Sequence, residues 1–596
     1  MNYRILNNIT GWTVFLISTI VYVMTIEPTV SLWDCGEYIT TAYKLEVGHP
    51  PGAPLFMMLG RLFSMLASPE NAAYMINLMS ALCSSFTVLF LYWTITLLAK
   101  KTVLGPVVSI FNRDAALDDL EGAEKKQTSS ILSEGQKWAV VGSGLIGALA
   151  YTFTDSAWFS AVEGEVYAMS SFFTAIVVWA IFKWDEEIGL RETDSDNEVL
   201  MAKNPDRWLV FIFFMIGLSI GVHLLNLLCI PAIAYVIYFR KYKETSTIGF
   251  ILTGVIGVAT LGFVQAILIP KTVQMAGWFE RTFTNSMGMP FNSGTIFFFL
   301  IILALIVGAL VWSRKNARPV VNTIVWSISM IFIGYSCFAM IVIRSNANTP
   351  LDENDPENLV TLVSYLQREQ YGDWPILYGP YFNSELKERS EWDDMSDMYL
   401  RRFVVQNMKG DDVKGFKDKK SADEFAAEIG GTIVEKYFKT YDGTNEKPTY
   451  KETECTFFPR MYSPEARHVN GYKTWSGHKG DRLPTMGENL TYFATYQVNW
   501  MYWRYFMWNF SGRQSDEQGH GSAANGNWIT GLNFIDKHHI GDQTKAPSVV
   551  TDNPSHNKFY MLPFILGLMG FIFMLNKSTK GWWIVMLLFL LTGRAA

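Results

Sequence analysis

The residues best equipped for chemistry lie close together: Trp33-Asp34-Cys35-Gly36-Glu37-Tyr38, then Gly48-His49-Pro50-Pro51-Gly52-Ala53-Pro54. Asp34 and Glu37 stand three apart, so on a helix they share a face. A carboxylate at such a place can take a proton from a hydroxyl while its neighbour positions the acceptor. Asp34 also suits a helix cap whose oxygens accept main-chain N–H bonds, and residue type alone leaves both readings open. His49 precedes two prolines, which remove donors and restrict the residue before them. A rigid turn accounts for the prolines but not for the imidazole.

A second acidic set follows at Asp155, Glu163 and Glu165. Carboxylates from two facing loops could hold a divalent cation or tune one another's pKa. Glu165 is more simply explained as keeping its loop wet. His223 stands at a turn between two apolar runs, where a histidine satisfied by a backbone carbonyl is the common outcome. Lys271, Arg281 and Arg344 sit just beyond apolar runs. There a long cation either snorkels to lipid phosphate or binds a phosphate of functional importance.

The elements that must carry these residues are set by lipid. Of 596 residues, 49% are hydrophobic and 17% charged, a charge deficit relative to soluble domains. No basic patch suited to nucleic acid is present. Apolar runs of membrane-crossing length fill 1–343 and 559–596, with a polar stretch over 344–558 between them. Lysine and arginine mark the cytoplasmic side of short loops. Arg4 places the N-terminus inside, and the acidic loop 27–71 then lies outside. Leu55–Ala67 is too short to cross and reads as an interfacial helix. The runs 72–99, 138–154 and 167–183 alternate, with Lys100, Lys101, Arg113, Lys125, Lys126, Lys183, Arg191, Lys203 and Arg207 inside. Residues 208–239 are basic at both ends, with Lys243 just beyond, and read as two short spans turning near His223. Residues 248–269 go out, an outer loop holds Lys271 and Arg281, and 294–313 and 321–343 follow. Residues 559–576 re-enter. Trp582–Thr592 is too short to span before Ala596 and reads as a helix cut off midway, which implies a shortened form of something longer. The first run lacks a cleavage site and reads as a retained span.

The expected fold is therefore a polytopic α-helical membrane protein with about ten or eleven transmembrane helices and a mixed α/β extracytoplasmic domain over 344–558. Turn signals such as Tyr-Asp-Gly at 441–443 support that domain, and the charges from Lys409 to Lys420 read as a solvated face. Ten of the nineteen residues from Tyr492 to Phe510 are aromatic. That run is expected to form an interfacial helix, with a sugar-stacking groove as the second reading. Five cysteines give no disulfide framework.

The acidic pair followed by His-Pro-Pro resembles the GT-C superfamily of membrane glycosyltransferases. The resemblance is closer to a bacterial family related to the vertebrate O-mannosyltransferase of plexin-type domains. Its hallmark is matched at Trp33, Asp34, Gly36, Glu37, His49, Pro50, Pro51, Gly52, Pro54, Leu55 and Phe56. The Gly-Leu-Ser-x-Gly-x-His stretch at 217–223 and Asn-Asp-Pro at 354–356 are similar too.

The resemblance implies transfer of a sugar from a polyprenyl-phosphate carrier to a protein Ser/Thr hydroxyl or a glycan. The reaction would occur at the outer face of a bacterial inner membrane, with the polar domain in the periplasm. Asp34 would be the base and Glu37 its helper. Trp33, His49, Asp155, Glu163, His223, Lys271, Arg281 and Arg344 would contact the substrates, with a divalent cation as possible cofactor. Two other classes compete. A transporter or flippase would place charges along a path through the spans. A non-catalytic envelope scaffold would need neither Asp34 nor Glu37.

Overall fold

The computed structural model describes residues 2–104, 132–193, 201, 204–242, 244–372, 374–388, 393–394, 398–440, 446–447 and 449–592. Arg113, Lys125, Lys126, Lys203 and Lys243, used above for orientation, lie outside the described residues, as does the turn signal at 441–443. The chain divides into two compact units, one of Met1–Gln367 with Met569–Ala596 and one of Arg368–Leu568.

The first unit is helical. Its elements in order are α1 (Tyr3–Met24), α2 (Cys35–Lys44), α3 (Pro54–Ser64), α4 (Ala72–Leu104), α5 (Glu134–Thr152), α6 (Asp155–Val162) and α7 (Val166–Thr193). After these come α8 (Arg207–Ile220), α9 (Ile230–Lys241), α10 (Thr247–Ser286), α11 (Ser293–Lys315), α12 (Pro319–Ser345) and α13 (Leu359–Gln367). Among the described residues, seven helices are long and apolar enough to cross a membrane. Arg207–Ile220, Leu562–Lys577 and Thr579–Thr592 are apolar but shorter. The chain is thus a polytopic helical membrane protein.

Packing follows from small residues and from charge. α4 lies against α1, α5 and α7. α8 and α12 cross so closely that a Cβ at Gly334 would stand 2.4 Å from the Gly217 backbone, so the crossing requires glycine. At the far end of α7, Asp185 pairs with Arg240 and Lys101, and Glu186 binds Lys100 and Lys183. Glu187 accepts from Arg207 and Trp208. These lie about 30 Å along α7 from Glu165, so the lysines and arginines, with their paired carboxylates, gather at the end of these helices away from it.

Two expectations are corrected. The outer loop assigned to Lys271 and Arg281 is helix: α10 runs 40 residues without a break, through two π-helical stretches. Its second half buries Val273, Ala276, Gly277 and Glu280, a helical repeat that holds it against α13. The segment after α12 also stays with the first unit. Val47 N–H donates to Leu351 O and Glu353 N–H to Val47 O, tying 351–353 to the loop between α2 and α3.

The second unit mixes strands and helices. Met398–Gln406 is the central strand of a three-stranded antiparallel sheet, with Asp412–Phe416 and Thr432–Thr440 as its neighbours. The helix Lys419–Ile429 buries Ala422 and Ala426 against Val405. The aromatic run forms Met486–Tyr492, a π-helix over Phe493–Trp503 and Arg504–Phe510. Tyr492, Trp500 and Trp508 are buried, and Arg504 lies between the Trp500 and Trp508 rings at 4.4 and 4.5 Å. These three rings pack inside the unit, while Trp503 of the same run is exposed.

Candidate active site

α2 carries the acidic pair, and the loop before it is fixed at several points. Asn77 of α4 donates to the carbonyls of Glu27 and Thr29, and Trp158 of α6 donates to Thr25. Ser31 donates to Glu163 at 2.9 Å. Trp33 then takes a left-handed backbone (φ 65) and is almost fully exposed, an uncommon conformation for a bulky side chain. Asp34 follows at the N-cap. Its carbonyl accepts from Tyr38 N–H, but its side chain makes no capping bond and is exposed.

Glu37, one turn along α2, is bound to the His49 turn. Its Oε1 accepts from the His49 main-chain N–H at 2.6 Å and from the ring Nδ1 at 2.9 Å. Burial pushes the Glu37 carboxyl up, but the two His49 bonds outweigh it and hold it below the usual range. The Glu37 bond raises His49 above its ordinary value, against burial. Each partner thus favours the charged form of the other, carboxylate facing imidazolium. Tyr38 lays its ring edge on His49, with centroids 5.3 Å apart, and its hydroxyl is 3.4 Å from Nε2.

The turn is locked from a distant part of the chain. Tyr365 of α13 is fully buried and donates to Gly48 O at 2.6 Å. A Cβ on Gly52, whose φ is 81, would lie 2.3 Å from the Tyr365 hydroxyl, so only glycine fits. A Cβ on Gly48 would meet Glu37 Oε1 at 2.6 Å.

The loop between α6 and α7 supplies the facing carboxylates. The Cys35 Sγ and carboxylate oxygens of Glu163 and Glu165 lie within 4.8 Å of one another. Burial, then the charges of Glu163 and Asp34, raise Glu165 to about 7. Burial also raises Glu163, against the Ser31 and Cys35 bonds, and pushes the Cys35 thiol up to about 12. A hard divalent cation would find two suitable carboxylates here and one protonated thiol of the wrong softness.

Other sequence candidates stand further out. Asp155 opens α6, at the opposite end of that helix from Glu163. His223 accepts from Leu225 N–H through Nδ1, and its ring lies tilted against Tyr167, two residues from Glu165, with centroids 5.7 Å apart. Its turn is joined to the start of α3, because Leu55 N–H donates to Gly221 O. Lys271 donates to Gln274, and the helix bearing Lys271 and Arg281 meets α13 at Gly277, one layer behind the His49 turn. Arg344 donates to the carbonyls of Leu45 and Lys44, at the end of α2 away from Asp34.

Three participants were missed or underrated. Glu165 is drawn into the cluster by the Glu163-Gly164-Glu165 spacing, which sequence reading took as a wet loop. Tyr38 and Tyr365 carried no signal beyond being aromatic.

Fold and site together define a polytopic membrane protein with an acid–imidazole cluster at one end of its helix bundle. Residues 34–246 match the family model of the Protein O-mannosyl-transferase TMEM260 N-terminal domain, and the chain is related to that family. Residues 372–494 match a family of unknown function (DUF8416). The chain is 28% identical over 220 residues to the Protein O-mannosyl-transferase tmem260 of Dictyostelium discoideum, covering 36% of this chain and 22% of that protein. It is 22% identical over 179 residues to the Protein O-mannosyl-transferase TMEM260 of Mus musculus, covering 30% and 20%. The matched stretch therefore spans about a fifth of the length of these relatives. No solved structure matches the chain.

Proposed function

We propose that the chain is a membrane glycosyltransferase of GT-C type. It would move a sugar from a polyprenyl-phosphate carrier to an acceptor hydroxyl, a protein Ser/Thr above all, at the outer face of a bacterial inner membrane. The observation that carries this reading is the cluster of Asp34, the Glu37–His49 pair and Glu165 inside the stretch similar to O-mannosyl-transferases. A carrier that never leaves the bilayer requires a site at headgroup level, where α2 and the short helix α3 would lie. The gathering of lysine and arginine at the far ends of α4, α7 and α9 supports placing α2 outside and the unit Arg368–Leu568 in the periplasm.

In this reading Asp34 is the general base, being exposed and free of a capping bond. It takes the acceptor hydroxyl proton as that oxygen attacks the anomeric carbon. The bond from that carbon to the phosphate oxygen breaks, and the electron pair leaves with the phosphate. Glu37 positions His49 and favours its charged form, and the imidazolium offsets negative charge growing on the leaving phosphate. Trp33, exposed beside Asp34, offers a ring face to a sugar. Glu165 is the alternative base, favoured by a pKa near 7.

The test is reconstitution in liposomes with a labelled polyprenyl-phosphate sugar and a Ser/Thr peptide. Label bound covalently to the peptide supports transfer. Label that crosses the bilayer without a new covalent bond would instead mean a flippase. A peptide that stays unlabelled while the carrier stays put would point to a scaffold.

A further inference from the structure

The geometry points to a second site, at the other end of α2: a pocket for the phosphate group of a membrane lipid. This inference does not rest on the transfer reading. A cavity of about 570 Å³ opens around the C-terminus of α2, lined by Tyr43, Lys44, Leu45, Glu46, Arg61 and Arg344 among others. Three of these carry positive charge and one negative, leaving a net charge of +2 in one cavity. Like charges so placed repel unless an anion joins them. A phosphate group supplies that anion, and planar guanidinium forks match its oxygens.

The cations are held in place beforehand. Arg61 Nη1 donates to Tyr43 O, and its guanidinium lies 5.3 Å from the Tyr43 ring centre. Arg344 donates through Nε to Leu45 O and through Nη2 to Lys44 O. A guanidinium has five N–H donors, so these bonds to the α2 carbonyls leave several for a ligand. Between them the two arginines cap the carbonyls of Tyr43, Lys44 and Leu45. Lys44, exposed beside them, adds a third cation to the cavity that this capping does not use. Glu46 is 4% exposed and forms part of the cavity wall, limiting the positive charge and offering an acceptor to an amine-bearing headgroup.

The surrounding surface favours a lipid over a free phosphate. Leu62, Met65 and Leu66 are exposed and apolar immediately after Arg61, and Ile343 is exposed beside Arg344. Apolar surface next to a cationic pocket suits acyl or prenyl chains below a phosphate. The pocket is also separate from the carboxylate cluster, because Asp34 and Lys44 stand about 15 Å apart along α2. That exceeds the reach of a single sugar–phosphate linkage.

The test uses the full chain purified in detergent, with equilibrium binding of phosphatidylglycerol, polyprenyl phosphate, diacylglycerol and inorganic phosphate. The phosphate-bearing lipids are expected to bind and diacylglycerol not. Arg61→Gln/Arg344→Gln should weaken lipid binding at least tenfold, and Asp34→Asn should leave it unchanged. Lys44→Glu, at an exposed side chain, is the variant that spares the α2 cap and should weaken binding severalfold. Tighter binding of polyprenyl phosphate identifies the carrier as the source, and tighter phosphatidylglycerol binding identifies bulk lipid; either supports the pocket. Undiminished lipid binding by folded Lys44→Glu, or inorganic phosphate displacing bound lipid at equal concentration, would overturn it.

Discussion

Glu37 and His49 meet through two hydrogen bonds onto one carboxylate oxygen, one from the main chain and one from the ring. One residue thereby sets both the backbone and the charge of the other. The consequence is a defined pH window. His49 is raised above 6.5, so its share of the stability is full at low pH and lost as pH rises through the raised value. Glu37 is lowered below 4.5, so its share is full above that value and lost as pH falls through the lowered one. The melting temperature of the parent minus that of Glu37→Gln should be largest between these limits and shrink as pH rises through the raised His49 value.

Replacing His49 by Gln keeps a donor near Glu37 but removes the cation. If the imidazolium offsets charge on the leaving phosphate, transfer should fall about a hundredfold with the melting temperature little changed. A pH–rate profile would check the role, since the parent should lose activity as His49 deprotonates and the variant should show no such limb.

Glu165 makes the opposite demand. Its folded pKa, near 7, lies above the ordinary value of 4.5, so the folded state binds more protons and loses stability as pH rises between the two. Glu165→Gln should therefore melt higher than the parent at pH 8 and close to it at pH 4. Glu163→Gln removes the neighbouring charge and should move this transition to lower pH. If Glu165 were the base, Glu165→Gln would also abolish transfer.

The lock on the His49 turn gives a structural prediction. Gly52→Ala introduces a Cβ 2.3 Å from the Tyr365 hydroxyl at a left-handed backbone position, and should cost more than about 1 kcal/mol along with transfer. Tyr365→Phe removes one buried bond to Gly48 O, with an expected cost of about 1 kcal/mol. Thermal unfolding in one detergent orders the two variants.

Much of this architecture was legible in sequence because lipid imposes long apolar runs and because lysine and arginine punctuate them. The i, i+3 spacing of Asp34 and Glu37 and the rigidity of the His-Pro-Pro turn were readable for local reasons. What joins them was not. Glu37 reaches His49 across twelve residues, and Tyr365 reaches Gly48 across 317. α10 was misread because Lys271 and Arg281 interrupt an apolar run, although Val273, Ala276, Gly277 and Glu280 continue a helical repeat beneath them. The aromatic run also has an internal role that composition did not show. Rings that favour a membrane boundary also stack well on one another, and here they close around Arg504.

The most direct measurement compares Asp34→Asn with the parent for a single round of sugar transfer. Both would be reconstituted with the same labelled polyprenyl-phosphate sugar and acceptor peptide. The parent should label the peptide, and the variant should be slower by at least about a hundredfold with an unchanged melting temperature. Equal labelling by the two proteins would contradict a base at Asp34 and move that role to Glu165.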